Sequence, residues 1–196
     1  MSVVGGSLWA LQGAPAPRID GLVLPPLASP TGGTWMDAVL GTRRPLDRAR
    51  WKTIVIHHSG SLVDTPAAIE ARHVARNIRG LGYHFVIGNG RGIEDGELHV
   101  GYRWLDQLPG AHVAGARGPE VNPGAIGICL VGDGNRRPFT QAQVRRLAQL
   151  VAGLARELDI PLDRRHVLLH SDLAPVSDPG RLFPAAEFHE LLAASR

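Results

Sequence analysis

The chain has 196 residues, of which 44% are hydrophobic and 20% charged, and its formal net charge is +3 at pH 7. This length fits one compact domain with some appended sequence, and the composition is that of a soluble globular protein. No apolar run approaches the roughly 20 residues of a membrane-spanning helix, so we expect no membrane span. Cys129 is the single cysteine, which excludes an intramolecular disulfide and leaves His, Asp and Glu as the main metal ligands.

Residues 1–50 differ from the rest of the chain in composition and in residue pattern. They contain six prolines and two glycine pairs and show neither helical nor strand periodicity. Apolar side chains such as Leu22 and Trp35 favour packing of this segment onto the main body. We therefore divide the chain into an N-terminal arm, 1–50, and a domain, 51–196.

A buried strand is predicted at the start of the domain. Residues 53–56 form a short β-branched run that ends on His57 and His58, and catalytic groups are common at such strand ends. A helix is predicted over 65–79, with Thr65 as the N-cap.

The remaining elements continue the alternation of strands with helices. Asn89 and Gly90 indicate a turn, and the segment that follows is predicted to form a short hairpin near the surface. The elements are predicted as strands at 83–87, 125–131 and 166–169, and helices at 140–158 and 184–196. This order predicts an α/β domain with a mixed central sheet flanked by helices.

The chain has nine histidines, and their places in the predicted strands indicate which of them are candidate metal ligands. Side chains alternate along a strand, so at most one of His57 and His58 should face a shared metal ion. His170 ends another predicted strand, and Asp178 lies eight residues further on in a turn-forming run. Two imidazoles and one carboxylate, with water as the fourth ligand, form a recurring catalytic zinc set, although scattered spacing alone is weak support.

Five motifs occur in order over about 130 residues, a specific pattern. They are IVIHHSG at 54–60, GYHFVIGNG at 82–90, PGAHVAG at 109–115, IGICLVGDG at 126–134 and HSDLAPVSDPG at 170–180. Together they resemble the type 2 N-acetylmuramoyl-L-alanine amidases, a superfamily that includes phage lysozyme-like amidases and peptidoglycan recognition proteins. Residues before about 50 lie outside this resemblance.

The resemblance implies roles for individual residues. His57, His170 and Asp178 correspond to the three zinc ligands, and Tyr83 to the tyrosine that the phage lysozyme-like branch places near the reacting carbonyl. His112 resembles a groove residue that contacts substrate. His58 is assigned a structural role, and His84 and His166 are assigned to packing or to supporting hydrogen bonds.

Two positions depart from the pattern of other members. Cys129 stands where another branch carries a catalytic Glu, and is interpreted as a small buried hydrophobic residue. Val176 stands where active members often carry a Lys that stabilises the tetrahedral intermediate. Lys52 is the only lysine and lies at the start of the first domain strand, so Arg181 or Ser177 is the candidate substitute.

The implied activity is zinc-dependent hydrolysis of the amide bond between N-acetylmuramic acid and L-alanine in peptidoglycan. The missing Lys keeps an alternative open, a module that binds peptidoglycan or muropeptides without cleaving them. A nucleic-acid binder lacks support because the arginines form no basic stripe. We expect a monomer that is made in the cytoplasm and acts on the cell wall, because no Lys or Arg precedes the apolar stretch near the N-terminus as a secretory signal requires.

Overall fold

The computed structural model describes residues 20–26 and 33–195, and it has a six-stranded mixed sheet with helices on both faces. The strands are β1 (Gly21–Leu24), β2 (Thr53–His58), β3 (Phe85–Ile87), β4 (Leu98–Gly101), β5 (Ala125–Leu130) and β6 (Val167–Leu169). The helices are α1 (Gly33–Leu40), α2 (Pro66–Val74), α3 (Tyr102–Leu105), α4 (Gly118–Val121), α5 (Gln141–Leu158) and α6 (Ala185–Ala193). Short 3-10 turns cover Gly115–Arg117 and His170–Asp172.

The strand order is β1-β4-β3-β5-β2-β6. Strands β3, β5, β2 and β6 run parallel, whereas β1 and β4 add antiparallel pairs at one side. The prediction of a mixed α/β sheet flanked by helices is confirmed. The carboxyl ends of the parallel strands meet at one edge of the sheet, where ligands bind in many α/β folds.

The larger core lies between the sheet and α5. Thr140 and Gln143 form a capping box at the start of this helix, as the sequence predicts, and Asp159 ends it in a left-handed conformation. One stripe of α5, which includes Leu147 and Leu154, is fully buried against the sheet. Each such leucine stabilises the fold by about 1.5–3 kcal/mol.

A smaller cluster covers the opposite face of the sheet, where α2 packs. It consists of Ile69, Leu81, Tyr83, Val86, Cys129 and Val131. Because successive strand residues point to opposite faces, β5 directs Ile128 into the larger core and Cys129 into this cluster. The candidate site lies beside this smaller cluster.

Two predicted elements differ from those observed. The helix predicted over 65–79 ends at Val74, and Asn77 takes a left-handed conformation with φ 62°, which turns the chain back toward the sheet. The segment predicted as a surface hairpin contributes β4, which is wholly buried because β1 covers its outer edge.

The N-terminal segment contains two elements that no sequence periodicity indicated. Strand β1 pairs with β4, and helix α1 buries Met36 and Val39 in the larger core. Residues 1–19 and 27–32, which include three of the six prolines of the predicted arm, lie outside the described part of the chain. The boundary at residue 50 therefore stays an interpretation.

Among the described helices, none combines the length and the apolar character that crossing a bilayer would require.

Candidate metal centre

His57 lies at the carboxyl end of the central strand β2. Its side chain is completely buried and points to the face that carries the smaller cluster, on the same side as Cys129. Burial lowers the pKa of His57 below its usual range in spite of a nearby carboxylate. The ring is therefore neutral, the form in which imidazole binds metals.

His170 and Asp178 meet His57 at this edge of the sheet. His170 opens the 3-10 turn that follows β6, and Asp178 lies in the loop after that turn. Oδ2 of Asp178 lies 3.0 Å from Nδ1 of His57 and 2.8 Å from Nδ1 of His170. One ligand atom from each of the three residues falls within 4.8 Å of the others, so the structure brings together all three predicted ligands.

The carboxylate of Asp178 is oriented by both of its oxygens. Oδ1 accepts a hydrogen bond of 2.6 Å from the backbone N–H of His58, which leaves Oδ2 facing the two imidazoles. Burial by itself would raise the pKa of Asp178, but the contacts with His170 and His57 outweigh it and hold the pKa well below its usual range. The group is a carboxylate at neutral pH.

The loop of Asp178 is held by the turn that follows β5. Asn135 donates from Nδ2 to the backbone carbonyl and hydroxyl of Ser177, at 3.2 and 3.0 Å, and its Oδ1 accepts from the N–H of Arg181. Gly180 has φ 105° and packs directly on Gly134, where a Cβ on either glycine would overlap the other segment. These contacts set the position of the carboxylate.

The donor set fits a zinc ion. Zinc bonds to His and Asp of about 2.0–2.2 Å at tetrahedral angles set the ligand atoms about 3.3–3.6 Å apart. The observed separations of 2.8 and 3.0 Å around Oδ2 of Asp178 are shorter than this, so the ligand atoms would move apart slightly around a bound ion. Nε2 of His170 is buried and has no hydrogen-bond partner among the described residues.

Tyr83 packs beside the cluster, and its ring centroid lies 5.1 Å from that of His57. Burial and the neighbouring Cys129 raise the pKa of the Tyr83 hydroxyl well above its usual range, so the phenol keeps its proton. Tyr83 and Cys129 belong to the same buried cluster. The Cys129 thiol donates weakly to the backbone carbonyl oxygen of Leu130, with Sγ 3.8 Å from that oxygen.

His112 is buried rather than placed on an open surface. Its Nδ1 lies 3.0 Å from Nε2 of His57, and its Nε2 donates to the carbonyl oxygen of Ala125 at 3.2 Å. Burial, and then the proximity of His57, lowers the pKa of His112 well below its usual value. Direct contact with substrate stays a prediction for this residue.

The other histidines named from the sequence lie around the cluster or away from it. The ring of His58 accepts a hydrogen bond from the N–H of Gly134 at 3.0 Å, and its Nε2 stays 3.9 Å from Asp178. His84 accepts from the N–H of Gly127, and His166 contacts Asp163 before β6.

The position of the missing Lys is exposed in this structure. Val176 has 43% of its surface accessible, and Arg181 is also exposed. Lys52 directly precedes β2, whereas His57 lies near the carboxyl end of this strand, so about 16 Å separates the two residues along the strand.

The sequence did not indicate the structural roles of two asparagines or the contact between two histidines. Asn135 holds the Asp178 loop, Asn122 holds the backbone at His112, and His112 contacts His57 across 55 positions. The contacts of Asn135 and His112 join segments 42 and 55 positions apart, whereas those of Asn122 span 9 to 10 positions, and no motif named above carries that information.

Comparison with known families identifies the class of protein. The N-acetylmuramoyl-L-alanine amidase family matches residues 47–181, a range that contains the His57, His170 and Asp178 cluster. The chain belongs to this family. No curated protein sequence matches the chain.

Solved structures share the fold. The endolysin amidase LysCS of Clostridium intestinale is 28% identical, with a TM-score of 0.61 over 78% of this chain and 90% of that one. Human PGRP-IβC in complex with a glucosaminyl muramyl pentapeptide is 19% identical, with a TM-score of 0.56 over 74% and 84% of the two chains. Drosophila PGRP-LB is 23% identical, with a TM-score of 0.52 over 70% and 79%. The fold is that of the type 2 amidases and peptidoglycan recognition proteins.

Proposed function

We propose that the chain is a zinc-dependent amidase that hydrolyses the bond between N-acetylmuramic acid and L-alanine in peptidoglycan. The convergence of His57, His170 and Asp178 on one point, in a member of the amidase family, is the observation that carries this proposal. Similarity to an endolysin amidase supports the same reaction.

The three side chains would hold zinc with one position left for water or substrate. A zinc ion bound there would polarise the scissile carbonyl and lower the pKa of water, so that a hydroxide nucleophile is available near neutral pH. Because the ligands are two neutral imidazoles and one carboxylate, a bound Zn²⁺ would give the site a net positive charge, which favours a developing oxyanion.

Tyr83 supplies the second element of the chemistry. Its raised pKa keeps the phenol protonated, and its ring lies against that of His57. The O–H would donate a hydrogen bond to the carbonyl oxygen as negative charge develops there. Such donors act most strongly on the transition state, so they raise turnover more than they raise affinity.

A peptidoglycan-binding module without cleavage is the second candidate. The exposed Val176 at the usual Lys position favours it, because an oxyanion donor of the active members is absent. The fold is also shared with PGRP-IβC, solved in complex with a muramyl pentapeptide. Retention of all three ligand types and of Tyr83 favours the enzyme.

The two candidates are separated by metal analysis combined with digestion. Purified protein is analysed for zinc, then incubated with purified peptidoglycan and with a soluble muramyl peptide, and newly formed N-terminal alanine is measured. We expect wild type to release N-terminal alanine. A chelator should stop this release and added zinc should restore it, and His57→Ala should release none. Binding without release in wild type would overturn the amidase proposal in favour of the binding module.

A further inference from the structure

The protons of the buried pair His57 and His112 can be assigned from their partners. A carbonyl oxygen only accepts, so the 3.2 Å contact with Ala125 requires the hydrogen of His112 on Nε2. The neutral ring then has a lone pair on Nδ1. Because that atom lies 3.0 Å from Nε2 of His57, it can accept the hydrogen of His57 from Nε2, in competition with the Asp178 carboxylate 3.0 Å from Nδ1; when Nδ1 binds a metal ion, the hydrogen belongs on Nε2.

This assignment leaves the lone pair of His57 on Nδ1, the atom that faces Asp178 and His170. We propose that His112 is a positioning residue that fixes the tautomer and ring orientation of His57, so that Nδ1 is always ready to bind the metal ion. The inference rests on the proposed zinc site but not on cleavage of any substrate.

The ring of His112 occupies a slot built for it. Gly127 on β5 and Gly110 form two walls, and a Cβ atom on either one would overlap the imidazole. Any larger residue at these positions would displace the ring from His57. The glycines therefore explain how a histidine fits beside the strand at full burial.

The backbone of His112 is held as firmly as its ring. Oδ1 of Asn122 accepts from the N–H groups of His112 and Val113, at 3.2 and 3.0 Å, and its Nδ2 donates to the carbonyl of Val113 at 2.8 Å. The N–H of Ala111 donates to Gly82 at 2.9 Å. Because both its backbone and its ring are held, His112 keeps its Nδ1 atom in a fixed position beside Nε2 of His57.

The physical benefit is a preorganised ligand. Metal-bound histidines commonly donate their other N–H to a carboxylate, carbonyl or water, and loss of that partner lowers metal affinity by about 10- to 100-fold. Without His112, the proton of His57 would move to Nδ1, where the Asp178 carboxylate attracts it. Metal binding would then require removal of that proton.

A matched pair of variants tests this role. Asn and Leu have nearly the same shape, and both are smaller than His, but only Asn offers an acceptor to His57. We expect His112→Leu to lower zinc affinity by about 10- to 100-fold and His112→Asn to lose clearly less, at similar thermal stability. Zinc affinity is measured by competition with a chelator.

The tautomer provides a second readout that does not depend on activity. Nitrogen-15 NMR of histidine-labelled, zinc-loaded wild type should show His57 protonated at Nε2 with its hydrogen protected from solvent exchange, and His112→Leu should lose this protection. Resonances are assigned with His57→Gln. Equal zinc affinity in all three proteins, or His57 without a proton on Nε2, would overturn the proposal.

Failure of this proposal is distinguishable from failure of the amidase proposal. Wild type that binds zinc with the expected His57 tautomer, but releases no N-terminal alanine, refutes the amidase and supports the role of His112. Wild type that cleaves peptidoglycan, with His112→Leu binding zinc as tightly, refutes the role of His112 and supports the amidase.

Discussion

His57 and Cys129 are paired in register on the adjacent parallel strands β2 and β5, and both side chains point to the same face of the sheet. The thiol is completely buried in the smaller cluster, which also contains Tyr83. The strand that forms the centre of the sheet thus also forms one wall of the candidate site. Substitutions on β5 are therefore expected to affect the site as well as the core.

Cys129 should be chemically inert in the folded protein. Burial raises the pKa of the thiol well above its usual range, and thiolate is the reactive form. We expect an aromatic disulfide reagent to label the native chain at least about a hundredfold more slowly than the unfolded chain, equivalent to an opening free energy of about 2.8 kcal/mol. Cys129→Ala should keep its zinc, and rapid labelling of native protein would contradict the burial.

Removal of any proposed ligand should remove the metal. We expect about one zinc per chain in wild type and loss of zinc in His57→Ala, His170→Ala and Asp178→Ala, because each removes one of three protein ligands. Metal content is measured on the purified, folded variants.

His58→Ala is the matched control for this series. It removes the neighbouring imidazole, whose Nδ1 accepts from Gly134, so it should cost about 1–3 kcal/mol of stability without loss of zinc. Stoichiometric zinc in His57→Ala, or its loss in His58→Ala, would show that the ligand assignment is wrong.

Tyr83→Phe should separate chemistry from structure. The substitution removes one hydroxyl and little volume, so fold and zinc content should be retained, while release of N-terminal alanine falls by about 100- to 1,000-fold, as for loss of one oxyanion donor. Turnover is compared at saturating soluble muramyl peptide. A wild-type rate in the variant would assign Tyr83 to packing alone.

Val176→Lys asks whether the missing cation limits turnover. The site is exposed, so the substitution should change stability by less than about 0.5 kcal/mol. A cation near the developing oxyanion should raise turnover, by up to about 100-fold, without a change in zinc content. If wild type is already fast and Lys adds nothing, Arg181→Ala should be the damaging change. If both proteins bind peptidoglycan fragments but release no N-terminal alanine, the amidase proposal fails and the peptidoglycan-binding module remains as the function.

Buried His84 should make the free energy of unfolding depend on pH. Burial lowers the pKa of His84 to about 3, against about 6.5 in an unfolded chain. Between these values the unfolded state binds one more proton, so stability is full above pH 6.5 and falls by about 1.4 kcal/mol per pH unit as the pH drops toward 3.

The variant His84→Gln should lack this contribution. We expect its slope of unfolding free energy against pH, from urea denaturation of metal-free protein between about pH 6 and 4, to be lower by about 1.4 kcal/mol per unit. The absolute stability at pH 7 should also fall, because the N–H of Gly127 loses its acceptor. Identical slopes in the two proteins would show that His84 takes up its proton in the folded state.

The sequence by itself determined the local elements and the identity of the candidate ligands. The capping box and apolar stripe predict α5, the β-branched run at 53–56 predicts β2, and the apolar run at 125–131 predicts β5, because these signals depend on residues close together in the chain. The ordered motifs around His57, His170 and Asp178 indicate the family, which matches residues 47–181.

Only the tertiary structure decided which groups act together. Strand β1 forms because β4 offers it an edge, and the Asp178 carboxylate reaches His57 across 121 positions because the turn after β5 holds its loop. His112 becomes a partner of His57 only where Gly110 and Gly127 leave room for its ring. Hydrogen bonds and steric fits of this kind depend on distances between segments that local spacing does not encode.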